Sequence, residues 1–217
     1  MSKQIEENRS QVFDLFAKVE AETKANDKGY FVRQVNYKDT IDFILNIHYA
    51  KRIPSISYAY GLFHKSELTG VVTYGKPASK FLCEGICGVE YSPIVFELNR
   101  LVLKNNKKNE SSFLISQSLK MLPKPLIIVS YADTEQNHVG YVYQATNFLF
   151  TGTTKERTDM VGEDGKHSRH NLGDPDQRKK RWAKHRYVFF VGNKKDKKNL
   201  LSKLNYPIAP YPKAAEA

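Results

Sequence analysis

The run LIIVS, Leu126 to Ser130, has no polar residue until its last position. A strand that is apolar on both faces needs a sheet covered on both sides, so this stretch constrains the fold more than any other. Pro123 and Pro125 precede it and close a helix with apolar positions at Phe113, Leu114, Ile115, Leu119 and Leu122. Before that helix lies a second strong strand, Ile94 to Leu103 (IVFELNRLVL), introduced by Pro93. Upstream, residues 4–23 place Val12, Phe13, Leu15, Phe16 and Val19 on one side of an amphipathic helix. A strand follows over Tyr30 to Tyr37, then a helix from Thr40 and Asp42 to His48 and Tyr49 that stops near Pro54. Ile56 to Phe63 and Leu68 to Tyr74 read as a hairpin with HKSE at its tip, and residues 75–92 as a long connection punctuated by Gly and Pro. After LIIVS come a helix from about His138 to Phe148, a strand in LFTGTT, a basic insertion, and the strand Tyr187 to Gly192. This order predicts an α/β fold, a mixed central sheet flanked by helices, with no internal repeat. The expected organisation is an N-terminal helix packed on the domain (1–28), a main domain (29–205) with a basic insertion (155–186), and a loose tail without a role (206–217).

With 217 residues, 41% of them hydrophobic, the chain is long enough to bury one core. No apolar run approaches the roughly 18 to 20 residues that cross a bilayer, and MSKQIEENRS lacks the apolar centre of a signal peptide. The expectation is therefore a soluble protein with no membrane partner. Cys83 and Cys87 read as reduced structural cysteines. The formal charge is +11, and residues 155–198 hold fourteen Lys and Arg against seven Asp and Glu, so +7 sits in one region. Such a field favours a polyanion. RKKRWAKHR, with Arg178, Lys179, Lys180, Arg181, Trp182, Lys184 and Arg186, suits phosphate contacts plus one stacking side chain, and equally a solvated basic loop.

Neither a P-loop lysine motif nor GxGxxG occurs, which disfavours kinase and dinucleotide-binding readings. Leu103 and Lys104 lead from the long strand into KNNKKNESS, where Asn109, Ser111 and Ser112 sit at a helix start whose unpaired amides suit a phosphate. Ser130 stands at the end of its strand with Asp133 just beyond it, where ligands of open α/β sheets sit. Tyr143 and Thr146 share a helix face. Asp133 reads as a residue that accepts a proton, binds a cation or orients a substrate amine, or as a helix-capping or loop aspartate. His48 reads as a metal-site member or a structural residue at a helix end. Arg100, three residues from Glu97 and so on the opposite strand face, needs an anionic partner or solvent if it is buried, the partner being a structural salt bridge or a substrate or cofactor carboxylate.

The succession of elements over about residues 30–192, with a phosphate turn after the central strand, resembles the GNAT acyltransferases, although their glycine-rich turn is here glycine-free. CEGICG, FELNRL, the His48–Tyr49 pair, SYADT and HxGYVYQATNFLFTG, followed by HRYVF, resemble the Mom DNA-modification proteins of Mu-like phages. That resemblance implies a GNAT-like catalytic domain that installs a carbamoylmethyl group on the exocyclic amine of adenine in double-stranded DNA. The modification shields phage DNA from restriction in the cytoplasm of the bacterial host. It also implies acetyl-coenzyme A or a related donor, and iron. On this resemblance His48, Tyr49 and Asp133 are the metal or reaction-centre residues, with Ser130, Tyr143 and Arg100 nearby, and Tyr49, Tyr143 and Trp182 stack on an extruded base. The alternatives are a GNAT acyltransferase for a small-molecule or protein amine, and a catalytically inert DNA-binding protein on the same scaffold.

Overall fold

A computed structural model describes residues 26, 28–160 and 178–213; the helix expected over 4–23 lies outside the described residues. Strand β1 (Tyr30–Gln34) leads into α1 (Lys38–Asp42), which continues as a π-helical stretch, Phe43–Ile47. The hairpin β2 (Tyr58–His64) and β3 (Glu67–Gly75) is followed by α2 (Lys80–Cys87), a 3-10 stretch Val89–Ile94 and β4 (Val95–Leu103). Next come α3 (Glu110–Met121), β5 (Leu126–Asp133), the short α4 (Tyr141–Ala145) and β6 (Leu149–Thr153). The order closes with β7 (Arg157–Met160), β8 (Arg178–Arg181), β9 (Lys184–Val191) and α5 (Lys194–Ser202). The main sheet runs β1-β2-β3-β4-β5-β9-β6, parallel between β4 and β5 and antiparallel elsewhere, while β7 and β8 form a separate ribbon. This is the mixed α/β sheet flanked by helices that the sequence predicts.

LIIVS is buried on both faces because its alternate residues enter different cores. Leu126 and Ile128 join Phe96, Leu98, Leu114 and Ile115 on the face covered by α3. Ile127 and Val129 join Val95, Val188, Ile86 and Leu200 on the face covered by α2 and α5. Each of these shielded aliphatic side chains contributes about 1.5–3 kcal/mol of transfer free energy. The buried Tyr74 hydroxyl is matched by Ser118 Oγ at 2.7 Å, so α3 brings no unpaired polar group onto the sheet.

Several elements depart from expectation. Residues 80–87 are helix rather than connection: Ser79 caps α2 by accepting the Leu82 amide at 3.3 Å, and Cys83, Ile86 and Cys87 form its buried face. Strand β5 runs on to Asp133, because β9 pairs with it residue by residue as far as Lys184. The helix expected from His138 shrinks to Tyr141–Ala145, because Gly140 before it has φ +77. Within the segment expected to be a loose tail, residues 209–212 are fastened down: the Ala209 amide donates to Phe150 O, the Tyr211 hydroxyl to Phe148 O, and Gln144 Nε2 to Pro212 O.

One irregularity matters most for the site. Thr73 lies opposite Arg100, but Tyr74 lies opposite Leu98, so Asn99 is an extra residue in β4, a β-bulge. The bulge reverses the side-chain alternation beyond it. Glu97 and Arg100 therefore face the same side, not opposite sides as their spacing in a regular strand implies. Asn99 and Arg100 also fasten the loop at residues 48–57: Asn99 Nδ2 donates to Ser55 O at 2.8 Å, and Arg100 Nε and Nη2 donate to Arg52 O at 3.3 and 2.8 Å. Asn99 Oδ1 accepts from Thr73 Oγ1 at 2.6 Å, which holds the bulge itself.

The loop backbone lies directly over Gly75, where a Cβ would fall 1.7 Å from Ser55 O. Gly75→Ala is expected to push the loop off β4 and lower stability by about 1–3 kcal/mol, as overpacking does. A urea melt coincident with wild type would show that the loop is not held there.

Candidate functional site

Strands β4 and β5 pair only over Val95–Glu97 against Ile127–Val129. Beyond that, β4 bends at its bulge while β5 continues beside β9, and a cleft of about 820 Å³ opens between them, in the size range of ligand sites. Because it lies where the sheet parts, it is lined from both faces: Glu97, Tyr131 and Lys184 from one, Leu98, Ala132 and Tyr143 from the other. Cations dominate its walls. Arg52, Arg100, Lys155, Arg157, Arg181 and Lys184 line it, and Glu97 is the one carboxylate that does so among the described residues.

The mouth is aromatic. Tyr49 is 57% exposed, its ring stacked on His48 at 4.4 Å and edge-on to His138 at 6.4 Å, so the fastened loop meets the approach to α4 across the opening. Tyr141 and Trp182 line the same cleft and are also exposed. Lys180 Nζ sits 3.8 Å from the centre of the Trp182 ring and 3.0 Å from Glu156, which braces the indole.

The structure brings some of the sequence candidates together and separates others. His48, Tyr49, Arg100, Tyr143, Arg181, Trp182 and Lys184 all line the cleft. Asp133 does not. Its Oδ2 is 2.5 Å from Lys184 Nζ and its Oδ1 accepts the Glu135 amide at 3.1 Å, so it both caps the turn after β5 and pairs with a cation. Ser130 is buried and donates to Leu98 O at 2.9 Å, tying β5 to β4 where they begin to part. Tyr143 packs in the cleft floor against Phe148 and Tyr187, and burial pushes its phenol up to about 12 despite the Ser130 hydroxyl beside it. This leaves Tyr143 a packed floor residue rather than a stacking face. Thr146 is buried and bonds back to Val142 O. The guanidinium of Arg100 meets backbone carbonyls of Asn99 and Arg52, so it positions the loop that carries His48 and Tyr49.

Of the three expected iron ligands, two are held by the protein's own groups. Asp133 is engaged elsewhere, His48 Nδ1 accepts the Ala50 amide at 3.0 Å, and no group of three His, Cys, Asp or Glu is placed to hold a metal ion among the described residues. The turn after β4 likewise does not fit a diphosphate. Lys104 pairs with Glu67 at 2.8 Å, Ser112 bonds back to Asn109 O, Ser111 reaches Asn106, and Leu103 is in register with Gly70. At the first turn of α3 the buried Glu110 carboxylate accepts the Lys107 amide at 2.8 Å, placing a negative charge where a phosphate would need amides. In the basic stretch, Arg178, Lys179, Lys180 and Arg181 form β8 against β7, at the margin of the cleft. Arg186 does not join them. It donates to Thr151 Oγ1 and O at 3.0 and 2.9 Å and stacks over Tyr206 at 3.4 Å, a structural anchor rather than a phosphate contact.

Sequence reasoning missed Glu97. The only signal available was a carboxylate in an otherwise apolar strand, and regular alternation pointed it away from Arg100. Burial raises its carboxyl above the ordinary range, opposed by Arg100, Lys184 and Arg52.

A model of the Mom protein family matches residues 29–213. The protein named methylcarbamoylase Mom, of Escherichia phage Mu, is 29% identical over 188 residues, covering 76% of this chain and 76% of that protein. Among solved structures, a ribosomal-protein-S5-alanine acetyltransferase from Vibrio fischeri is similar with TM-score 0.49 and 10% identity, over 80% of this chain and 98% of that one. Arabidopsis thaliana NAA60 in complex with acetyl-CoA gives 0.47 and 14%, over 75% and 98%.

His48 offers a test of the loop's placement. Burial, and then the nearby Arg100, lowers its imidazole to about 4 from an ordinary 6.5. The unfolded chain therefore binds this proton first as pH falls, and stability drops between those two values. His48→Asn is expected to flatten that part of the stability profile, read by thermal melts across the interval. An unchanged slope would place His48 in solvent.

Proposed function

The chain belongs to the Mom protein family, and from that premise we propose that it is a transferase that modifies the exocyclic amine of adenine in double-stranded DNA. The modification is of the carbamoylmethylation type, and it protects the DNA from restriction in the cytoplasm of a bacterial host. The observation that carries this reading is the cleft itself: an opening through the sheet with cationic walls, an aromatic mouth and one carboxylate inside. A polyanion is drawn to those walls, and a single base is of a size to enter between them.

The adenine amine is paired inside a duplex, so the nucleotide must leave the stack before it can react, at a cost of a few kcal/mol. Exposed rings at the mouth offset that cost. Tyr49, backed by His48, presents a face to an incoming base, and Trp182, braced by Lys180, stands where the wall meets the basic ribbon. Arg157 and Arg181, opposite each other on β7 and β8, suit the flanking phosphates. Lys184 serves the wall partly as the partner of Asp133. No step is assigned to iron, since Asp133 and His48 Nδ1 are engaged by the protein's own groups, and none to a coenzyme A diphosphate at the start of α3, where Glu110 already sits.

The test is chemical. DNA from cells expressing the protein is digested to nucleosides, and a fraction of the deoxyadenosine is expected to show added mass. Unshifted deoxyadenosine in the presence of abundant folded protein would overturn the reading. In binding titrations against salt, each phosphate contact contributes a slope of about 0.9 in log K against log salt. Arg181→Ala is expected to lower the slope by about that amount, and an unchanged slope would remove Arg181 from the interface.

A further inference from the structure

We infer that Glu97 is the residue that receives the adenine amine in the cleft and accepts its proton during group transfer, an assignment that rests on the adenine-modification reading above. The sequence pointed to Asp133 for this role, but both Asp133 oxygens are engaged, by Lys184 and by the Glu135 amide. Glu97 differs in each respect. It lies on the cleft wall, half-buried, and its carboxylate makes no hydrogen bond or ion pair at contact distance with any described residue. A partly buried carboxylate without a direct partner costs free energy, and here the bulge at Asn99 holds it facing the cleft. Two hydrogens on an exocyclic amine supply the donor that this carboxylate lacks, whereas the surrounding Arg and Lys side chains offer an amine only repulsion.

As the N6 lone pair forms a bond to the methylene carbon of an alkylating donor that carries the carbamoylmethyl group, the bond from that carbon to the donor's leaving group breaks and the leaving group departs with its electron pair. The surplus N6 proton passes to a Glu97 carboxylate oxygen. The groups facing Glu97 set when it is ready for this. Arg100 on its own strand, Arg52 on the fastened loop and Lys184 on β9 favour the carboxylate, while burial favours the acid; Tyr131 of β5, Tyr143 of α4 and Cys83 of α2 complete the surroundings. The net effect is a carboxyl raised above its ordinary range, toward the pH at which a general base works best.

The experiment compares wild type, Glu97→Gln and Glu97→Asp on duplex DNA, reading deoxyadenosine modification across pH, DNA affinity at several salt concentrations, and thermal stability. Wild-type rate is expected to rise with pH as Glu97 ionises. Glu97→Gln is expected to lose about 10²-fold or more and to lose that rising limb, with DNA affinity and its salt slope unchanged. Because the folded-state carboxyl is raised, its charge destabilises the fold at pH above that value, so Glu97→Gln is expected to melt at higher temperature there and to match wild type in acid. Glu97→Asp is expected to restore part of the rate with a displaced limb. Modification by Glu97→Gln at the wild-type rate would overturn the assignment, as would loss of activity and DNA affinity together. Wild type that leaves adenine unmodified would instead overturn the functional reading beneath it.

Discussion

A single inserted residue in β4 is the constraint on which the site depends. Asn99 has no opposite number on β3, and the ladder absorbs it between Thr73 and Tyr74. Three things follow from that one irregularity. The strand bends away from β5, so their parallel pairing stops at Glu97 and a cleft begins. The alternation of side chains reverses, so Glu97 and Arg100 share a face. The displaced Asn99 side chain, with Arg100 beside it, reaches the carbonyls of Ser55 and Arg52. An uninterrupted strand would close the cleft, turn a charge into the core and release the loop that bears Tyr49.

How much of this was legible depended on how local each feature is. The mixed sheet was readable because LIIVS and IVFELNRLVL carry their burial in their own composition, and alternate residues of LIIVS do enter two cores. Helix α2 was hidden because KPASKFLCEGICG combines a proline and two glycines with a short apolar face, and those signals outweigh a three-residue stripe. The bulge was not legible at all. FELNRL reads as a regular strand, and only the register against β3 shows that Asn99 is unpaired. The same holds for Arg100: sequence demanded a partner for it and expected an anion, but a guanidinium is also satisfied by carbonyls, which leave no trace in residue identity. Of the candidate residues, His48, Tyr49, Tyr143 and Trp182 reached the cleft because they lie next to loops or strand ends around it. Asp133 missed because β9 extends as far as Lys184 and claims it.

The cations of the cleft and of β9 beside it divide by what they do. Arg100 and Arg186 are spent on backbone carbonyls and threonine oxygens, and Lys184 on Asp133, so their charges contribute to the field while their hydrogen bonds hold the fold. The charges at the margin, on β7 and β8, stand on a two-stranded ribbon outside the main sheet. Counting Lys and Arg in the sequence treats these two sets alike. Charge draws a polyanion from several ångströms away whatever hydrogen bonds its bearer makes. The interior cations, engaged as they are, therefore still set the potential felt by whatever enters, and the ribbon adds its charge at the margin.

That division also explains why a carboxylate can persist among so many positive groups without collapsing into a salt bridge. Arg100 would be the natural partner of Glu97, since the bulge places both on one face, but its donors already reach the Asn99 and Arg52 carbonyls. Lys184 would be the next, and Asp133 holds it at 2.5 Å. Both of these competitors are occupied by contacts that also build the cleft, so the arrangement that shapes the walls also draws Arg100 and Lys184 away from Glu97. The Thr134 hydroxyl donates to Ala183 O at 2.6 Å and the Lys184 amide to Thr154 Oγ1 at 2.9 Å, and these bonds fix the root of the basic ribbon beside the same Asp133–Lys184 pair. The basic ribbon and the cleft wall thus share one foundation at the end of β5, and a change that loosens Lys184 from Asp133 acts on both together.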